Sequence, residues 1–310
     1  MESLQKLKKN IQKVFVGNET AIELLIESVL CNGHVLLEDV PGTGKTLLAK
    51  SLAKSMGGQF ARIQCTPDVL PSDITGIEYF NPKSNDFEKR LGPVYTNILL
   101  ADEINRALPR TQSSLLEAME ERQITLDRET IKLPSPFIVI ATQNPLESQG
   151  TFPLPDAQLD RFFMSIPLGY PSMDEERTII RRFREHQPLD ALSVCITQEE
   201  LLVLQVETKR ILVSEPVEDY ILQLTAATRS SKYCETGLSP RASLALLKAS
   251  QAKALYMGRS YCIPEDVQFV FPAIASHRIS LTMEGALTSG RREIAEQILQ
   301  EVDVPVEISR

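Results

Sequence analysis

Six consecutive residues carry the first chemical signal: Pro41-Gly42-Thr43-Gly44-Lys45-Thr46. They follow a short apolar run, His34–Leu37, and open a helical pattern over Lys45–Met56 in which Leu48, Leu52 and Met56 recur every fourth residue. Glycines at such a turn let main-chain N–H groups face inward and cradle phosphate oxygens, while the helix N-terminus behind them adds partial positive charge. In that geometry Lys45 reaches the β- and γ-phosphates of a nucleotide and Thr46 offers its hydroxyl to Mg2+. The phosphate-loop pattern GxxxxGK[ST] asks for glycine at position 39, where this chain has Asp39. That position supports the turn without touching phosphate, so Asp39 is expected to point away.

The second signal is Ile98-Leu99-Leu100-Ala101-Asp102-Glu103, an apolar strand ending in two carboxylates. Asp102 at its tip is placed to hold Mg2+ beside Thr46 through the ion's water shell. A carboxylate one position further, Glu103, can polarise a water for in-line attack on the γ-phosphorus. A phosphotransferase gains nothing from such a water activator, so hydrolysis is the favoured chemistry.

The elements that must position these residues are legible in the punctuation. Of the nineteen prolines, twelve lie between Pro67 and Pro171 and only six follow, so turns dominate the first part and long helices the second. Apolar runs at His34–Leu37, Phe60–Gln64, Asn97–Ala101, Phe137–Ala141 and Met164–Ile166 read as buried parallel strands. Helical patterns lie between them, among them Thr111–Arg122. There Leu115, Leu116 and Met119 share one face, and Glu117, Glu120 and Glu121 form an opposite face expected to be simply solvated. Alternating strands and helices imply a doubly wound α/β sheet. Beyond Pro171 only helical spacing recurs: Asp174–Arg184, Gln198–Gln205, Glu215–Arg229, Pro240–Met257 and Pro264–His277.

With both motifs in place the chain resembles the AAA+ ATPases, and within them the MoxR branch. The phrases LLEDVPGTGKT, LLADEINRALPRTQSSLLEAMEERQIT, ATQNPLESQGTFPLPDAQLDRF and GLSPRA carry the resemblance. It implies an α/β P-loop NTPase core of five parallel strands over residues 1–171, followed by a smaller all-α lid over 172–310. It also implies a helix-2 insert at about 73–93 and a β-hairpin at about 123–134 ahead of sensor 1. Val16-Gly17-Asn18 looks like the adenine-side segment, and the loop from Pro41 to Leu47 (Pro41, Gly42, Thr43, Gly44, Lys45, Thr46, Leu47) like the nucleotide cradle. Asn144 resembles sensor 1, which orients the attacking water. Arg161, in Leu159-Asp160-Arg161-Phe162, looks like the arginine finger, and Arg241, in Ser239-Pro240-Arg241, like sensor 2. Whether Arg161 and Arg241 serve their own or a neighbouring subunit stays open, and Arg106 and Arg110 compete for the finger role. The resemblance further implies ATP and Mg2+ as cofactors, a ring that is usually hexameric, and remodelling of client proteins. Those clients often involve von Willebrand A-type partners and the maturation or metal loading of enzymes.

Composition removes several alternatives. The formal charge is −8 and the pI about 5.2, which argues against coating nucleic acid through bulk charge. A nucleic-acid motor and a nucleotide-gated scaffold with little turnover remain the competing readings; against the first, only Arg122, Arg128 and Lys132 are basic in or beside the hairpin, and against the second stands the intact set Lys45, Asp102, Glu103 and Asn144. No uncharged apolar stretch approaches the roughly 18–20 residues that span a bilayer. The five cysteines are scattered and no CxxC occurs, so neither a zinc site nor a disulfide framework is expected, and the chain reads as cytoplasmic.

Overall fold

The computed structural model describes residues 2–38, 42–127, 129–143, 150–185 and 188–305. The chain opens with α1 (Glu2–Gln12) and α2 (Glu19–Leu30), enters β1 (Val35–Glu38), and passes through the glycine-rich loop into α3 (Lys45–Ser55). Next come β2 (Phe60–Gln64), the short α4 (Pro71–Thr75), the strands β3 (Gly76–Asn81) and β4 (Asp86–Leu91), and β5 (Ile98–Asp102). A 3-10 turn at Ile104–Arg106 leads to α5 (Pro109–Glu121), β6 (Gln123–Leu126), β7 (Glu129–Lys132), β8 (Ile138–Gln143), α6 (Asp156–Leu159) and β9 (Met164–Ile166).

β2, β5, β8, β1 and β9, in that order, form one parallel sheet. The order explains the composition of each strand. β5 and β8 lie inside and are almost wholly apolar and buried, whereas β2 is an edge strand that leaves Arg62 and Gln64 in reach of solvent. β1, β5 and β8 run one or two residues past their apolar runs, so their polar tips fall inside the sheet. Register then sets Gln64 beside Asp102, and Glu38 beside Gln143 with Thr142 one residue back. β3 with β4 forms an antiparallel ribbon carried by α4, and β6 with β7 is a second ribbon after α5.

The helical part comprises α7 (Met173–Glu185), α8 (Gln198–Thr208), α9 (Glu215–Ser230), α10 (Pro240–Tyr256), α11 (Pro264–Ala275), α12 (Met283–Thr288) and α13 (Arg291–Glu301). Two short strands, β10 (Cys234–Thr236) and β11 (Ser280–Leu281), pair within it. Successive strand residues face opposite sides of the sheet. Leu36, Leu99, Val139 and Ala141 therefore join a core under α4, α5 and the ribbons. Val35, Leu37, Ile98, Leu100, Ile138, Ile140 and Met164 join a second core, which runs without a break through α1, α2 and α3 into Leu224, Leu246, Phe271 and Ile294 of the helical part. α10 packs on α2, and α11 on β9. Among the described residues no helix is long and apolar enough to cross a membrane.

Candidate functional site

The glycine-rich loop leaves the C-terminal end of β1. Gly42 and Gly44 both have φ of +88°, the left-handed region where a Cβ is strained, and Gly44 forms the N-cap of α3. A Cβ on Gly44 would also stand 3.3 Å from the Phe15 ring. The loop therefore needs glycine for two independent reasons, and its conformation delivers Lys45 and Thr46 in the first turn of α3. Pro41 and Asn144, like Asp39, lie outside the described residues.

Facing that turn are the tips of β2, β5 and β8. Gly42, Gly44, Lys45, Thr46, Leu47, Arg62, Gln64, Asp102, Glu103 and Thr142 line one cavity of about 400 Å³. Asp102 is buried; its Oδ2 accepts from Arg62 Nε at 2.7 Å and its Oδ1 from the Thr142 hydroxyl at 3.2 Å. The Thr142 oxygen also accepts the Glu103 N–H at 2.8 Å. Glu103 itself sits at φ +55°, ψ +50°, an uncommon conformation for a residue with a side chain and one of order 1–2 kcal/mol above the ordinary wells. Its Oε2 accepts from Gln64 Nε2 at 2.9 Å and lies 3.3 Å from Arg106 Nε. The acid is thus aimed by strained backbone and held on one oxygen by two neighbours. Behind the pair, burial and the two carboxylates push the Cys65 thiol up to about 12, so it stays an inert thiol.

Thr46 and Asp102 offer the hard oxygen donors that Mg2+ prefers, one hydroxyl and one carboxylate, leaving most of its shell to phosphate and water. Among the described residues no group of three or more His, Cys, Asp or Glu gathers elsewhere to hold a metal. The donor set fits a cation that arrives with a nucleotide. Arg62, half-exposed on its edge strand, marks Asp102 as the cleft's cation-seeking group.

A second cavity of about 530 Å³ adjoins the first across Gly42, Gly44 and Leu47. Its walls are mostly apolar: Phe15, Val16, Leu168, Tyr170, Ile179 and Phe183. Gly17 belongs to it, at φ +133°. Asn18 secures this segment twice, accepting the Ala21 N–H at 3.1 Å as the N-cap of α2 and donating to the Pro167 carbonyl at 3.1 Å. An apolar chamber beside a phosphate cradle suits a flat base and its sugar.

Arg161 and Arg241 are not in this cleft. They line a separate cavity of about 290 Å³ together with Asn32, Gly33 and His34, which precede β1, and Phe163, which precedes β9. That is the N-terminal edge of the sheet, whereas the loop leaves the C-terminal edge. The four residues of β1 set the two edges roughly 13 Å apart. The backbone around Arg161 is gripped by Arg278, which donates to the carbonyls of Phe162 at 2.6 Å and Phe163 at 3.1 Å and pairs with Asp160 at 2.6 Å. Burial lowers the Arg278 pKa, and Asp160 counters it. Arg161 and Arg241 both approach Glu120, at 3.2 and 3.3 Å. Contrary to the sequence expectation, Glu120 on α5 is therefore not merely a solvated acid.

The sequence reading did not single out Arg62, Gln64, Thr142, Arg106 as a Glu103 partner, or Glu120. Gln64 and Thr142 carried one usable signal, a polar residue at the tip of an apolar strand. Glu120 carried none, because its partners lie 41 and 121 positions away.

The geometry is that of a P-loop nucleotide-binding protein in which the loop and its acids line one edge of a five-stranded sheet. Residues 34–164 match the ATPase family associated with various cellular activities (AAA), and residues 226–302 match the AAA lid domain. The chain is 45% identical to the uncharacterised protein YeaC of Bacillus subtilis, covering 99% of this chain and 96% of that protein. It is 40% identical to the chaperone MoxR1 of Mycobacterium tuberculosis, over 98% of this chain and 83% of that protein. The crystal structure of a candidate ATPase from Cytophaga hutchinsonii superimposes with a TM-score of 0.91 at 38% identity, covering 98% of this chain and 96% of that one. The chain belongs to the MoxR family of AAA+ ATPases.

Proposed function

We propose that the protein binds ATP with Mg2+ in the cleft between α3 and the strand tips and hydrolyses it as one copy of a homo-oligomeric, hexameric ring. Val16 and Gly17 border the base, and the loop from Pro41 to Leu47 takes the phosphates. Lys45 and the N–H groups of the loop neutralise charge on the transferring phosphoryl. Thr46 and Asp102 would hold Mg2+, which would supply further charge neutralisation to the phosphates. Glu103, with Asn144 as the second water-orienting group, accepts a proton as the water oxygen bonds to the γ-phosphorus and the bond to the β-phosphate oxygen breaks. The observation that carries this reading is the single cavity in which Lys45 and Thr46 face Asp102 and Glu103.

Arg161 and Arg241 serve the ATP of the adjoining copy. They occupy the sheet edge remote from their own loop, so a head-to-tail contact that sets one copy's arginine face on the next copy's cleft completes each site. A repeated heterologous contact of that kind closes into a ring when its rotation permits. A trans arginine is worth about 10³–10⁵ in rate in the GTPase precedent. The ring acts in the cytoplasm on client proteins as a chaperone-like remodeller, in the maturation or metal loading of complexes, with von Willebrand A-type proteins among the partners. The chaperone name of the 40% identical relative supports that role.

Substitutions separate the parts. Lys45→Ala is expected to abolish ATP binding in a fluorescent-nucleotide titration. Glu103→Gln is expected to keep ATP affinity and lower turnover by about 10²–10⁴-fold in a phosphate-release assay; normal hydrolysis by that variant overturns the water-activating role. Turnover per subunit is expected to rise with protein concentration through the assembly transition, followed by sedimentation. A flat profile removes the trans arginines.

A further inference from the structure

Glu120 sits one residue before the end of α5, and each of its carboxylate oxygens meets a different arginine. Oε2 lies 3.2 Å from Arg161 Nε and Oε1 lies 3.3 Å from Arg241 Nη2. The two arginines come from unrelated elements: Arg161 from the turn between α6 and β9, Arg241 from the first turn of α10. The fold sets the two segments side by side, with the Ser239 hydroxyl donating to Asp160 at 3.4 Å, and the Glu120 carboxylate is what joins their guanidinium groups. The cluster is open to solvent, with the Glu120 side chain 38% exposed, so its ion pairs contribute little to fold stability.

Glu117 and Glu121 lie nearby on α5, but Glu120 is the acid that pairs with both arginines. The other carboxylate lining the cavity, Asp160, is committed to Arg278 at 2.6 Å. Arg122, a further cation there, is spent on the carbonyls of Asn32 and Phe137. Arg161 and Arg241 are thus two like charges on one face, and without a carboxylate between them they repel.

We propose that Glu120 is a positioning residue for hydrolysis in the neighbouring copy: it gathers Arg161 and Arg241 into one paired donor and yields them together to the incoming triphosphate. The proposal rests on the reading that both arginines act across the subunit contact. A monovalent carboxylate at ion-pair distance is a suitable holder, because a polyphosphate with more charge and more acceptor oxygens displaces it. The gain is orientational: the donor arrives assembled, and a misplacement of about 1 Å can cost about 10²-fold.

The test uses the assembled full-length protein. Glu120→Gln removes the charge and is expected to lower kcat by about 10–100-fold while leaving the KM for ATP within about twofold, since binding belongs to the Lys45 cleft of the other copy. Glu120→Asp is expected to recover most of the lost rate. The decisive measurement mixes Glu120→Gln subunits with excess Lys45→Ala subunits, which have a dead cleft but an intact arginine face. Turnover per Glu120→Gln subunit is expected to rise on mixing, because its sound cleft now receives a sound donor. An unchanged kcat, or a reduced kcat that mixing fails to restore, overturns the proposal. An Arg161→Ala, Arg241→Ala double variant mixed in the same way is the control. If it too is not complemented, the trans reading fails; if it is complemented while Glu120→Gln is not, only the role of Glu120 fails.

Discussion

Single residues at the phosphate turn show why chemistry here is a matter of backbone. Gly44 combines φ of +88° with a ring edge 3.3 Å from where its Cβ would be. Gly44→Ala therefore meets strain and crowding together and is expected to destabilise the protein by about 1–2 kcal/mol and to abolish nucleotide binding, read by thermal unfolding with and without ATP. The same logic runs in reverse at Glu103, where a residue with a side chain accepts the left-handed region so that its carboxylate faces the cleft. The motif residues themselves were legible because their types follow one another in the chain. Gln64, Arg62 and Glu120 were not, since their meaning depends on which strand neighbours which and which helix end meets which turn. A polar residue on an edge strand looks the same whether it faces bulk water or a carboxylate of the cleft.

At the scale of elements, amphipathic spacing and proline placed most strands and helices to within a residue or two. Which element packs on which was harder to read. α2 passed unremarked because Ala21–Leu30 is apolar nearly all round, and such a run has no face to betray its partner; it is buried between the sheet and α10. α7 is the opposite case. None of its described side chains is buried, yet Ile179 and Phe183 wall the apolar chamber beside the loop. Its anchor is Arg182, which donates to the carbonyls of Gln12 at 2.6 Å and Lys13 at 2.9 Å at the end of α1. Arg182→Ala is expected to weaken ATP binding by about 10-fold, the loss of roughly one charged hydrogen bond, with kcat little changed. Faster amide exchange along α7 would accompany it; unaltered exchange would mean that the helix is held by other contacts.

For the whole molecule, three buried groups contribute to the dependence of stability on pH. Burial pulls the His34 pKa down to about 3, and the ring stays neutral, with Nδ1 accepting the Val139 N–H and Nε2 donating to the Met119 carbonyl. His277, buried against Phe162, is lowered likewise. In the unfolded chain both take up protons below about 6.5, so their contribution is present above that pH and lost as the solution is acidified. Glu27 on α2 works the other way. Burial, partly offset by Lys253 at 3.5 Å, pushes it up to about 8, so the folded state holds a proton that the unfolded chain has released above about 4.5. Its contribution is lost as pH rises through 8. The two histidines thus disfavour the folded state below about 6.5, whereas Glu27 disfavours it as pH rises from about 4.5 to about 8 and adds nothing further beyond that. Glu27→Gln is expected to flatten that stretch of a Tm-against-pH curve, and an unaltered slope would assign the decline elsewhere.

Glu27 and Lys253 also lie on the seam where α2 and β9 meet α8, α10 and α11, the seam through which one apolar core passes from sheet to helices. Swinging the helical bundle away from the sheet would bare Leu25, Val29, Leu246, Ala249 and Ile274, all of them essentially sealed from water. At about 1.5–3 kcal/mol for each large side chain, that motion would cost several kcal/mol. The sheet and the helical bundle of one chain are therefore expected to move together as a single solid piece.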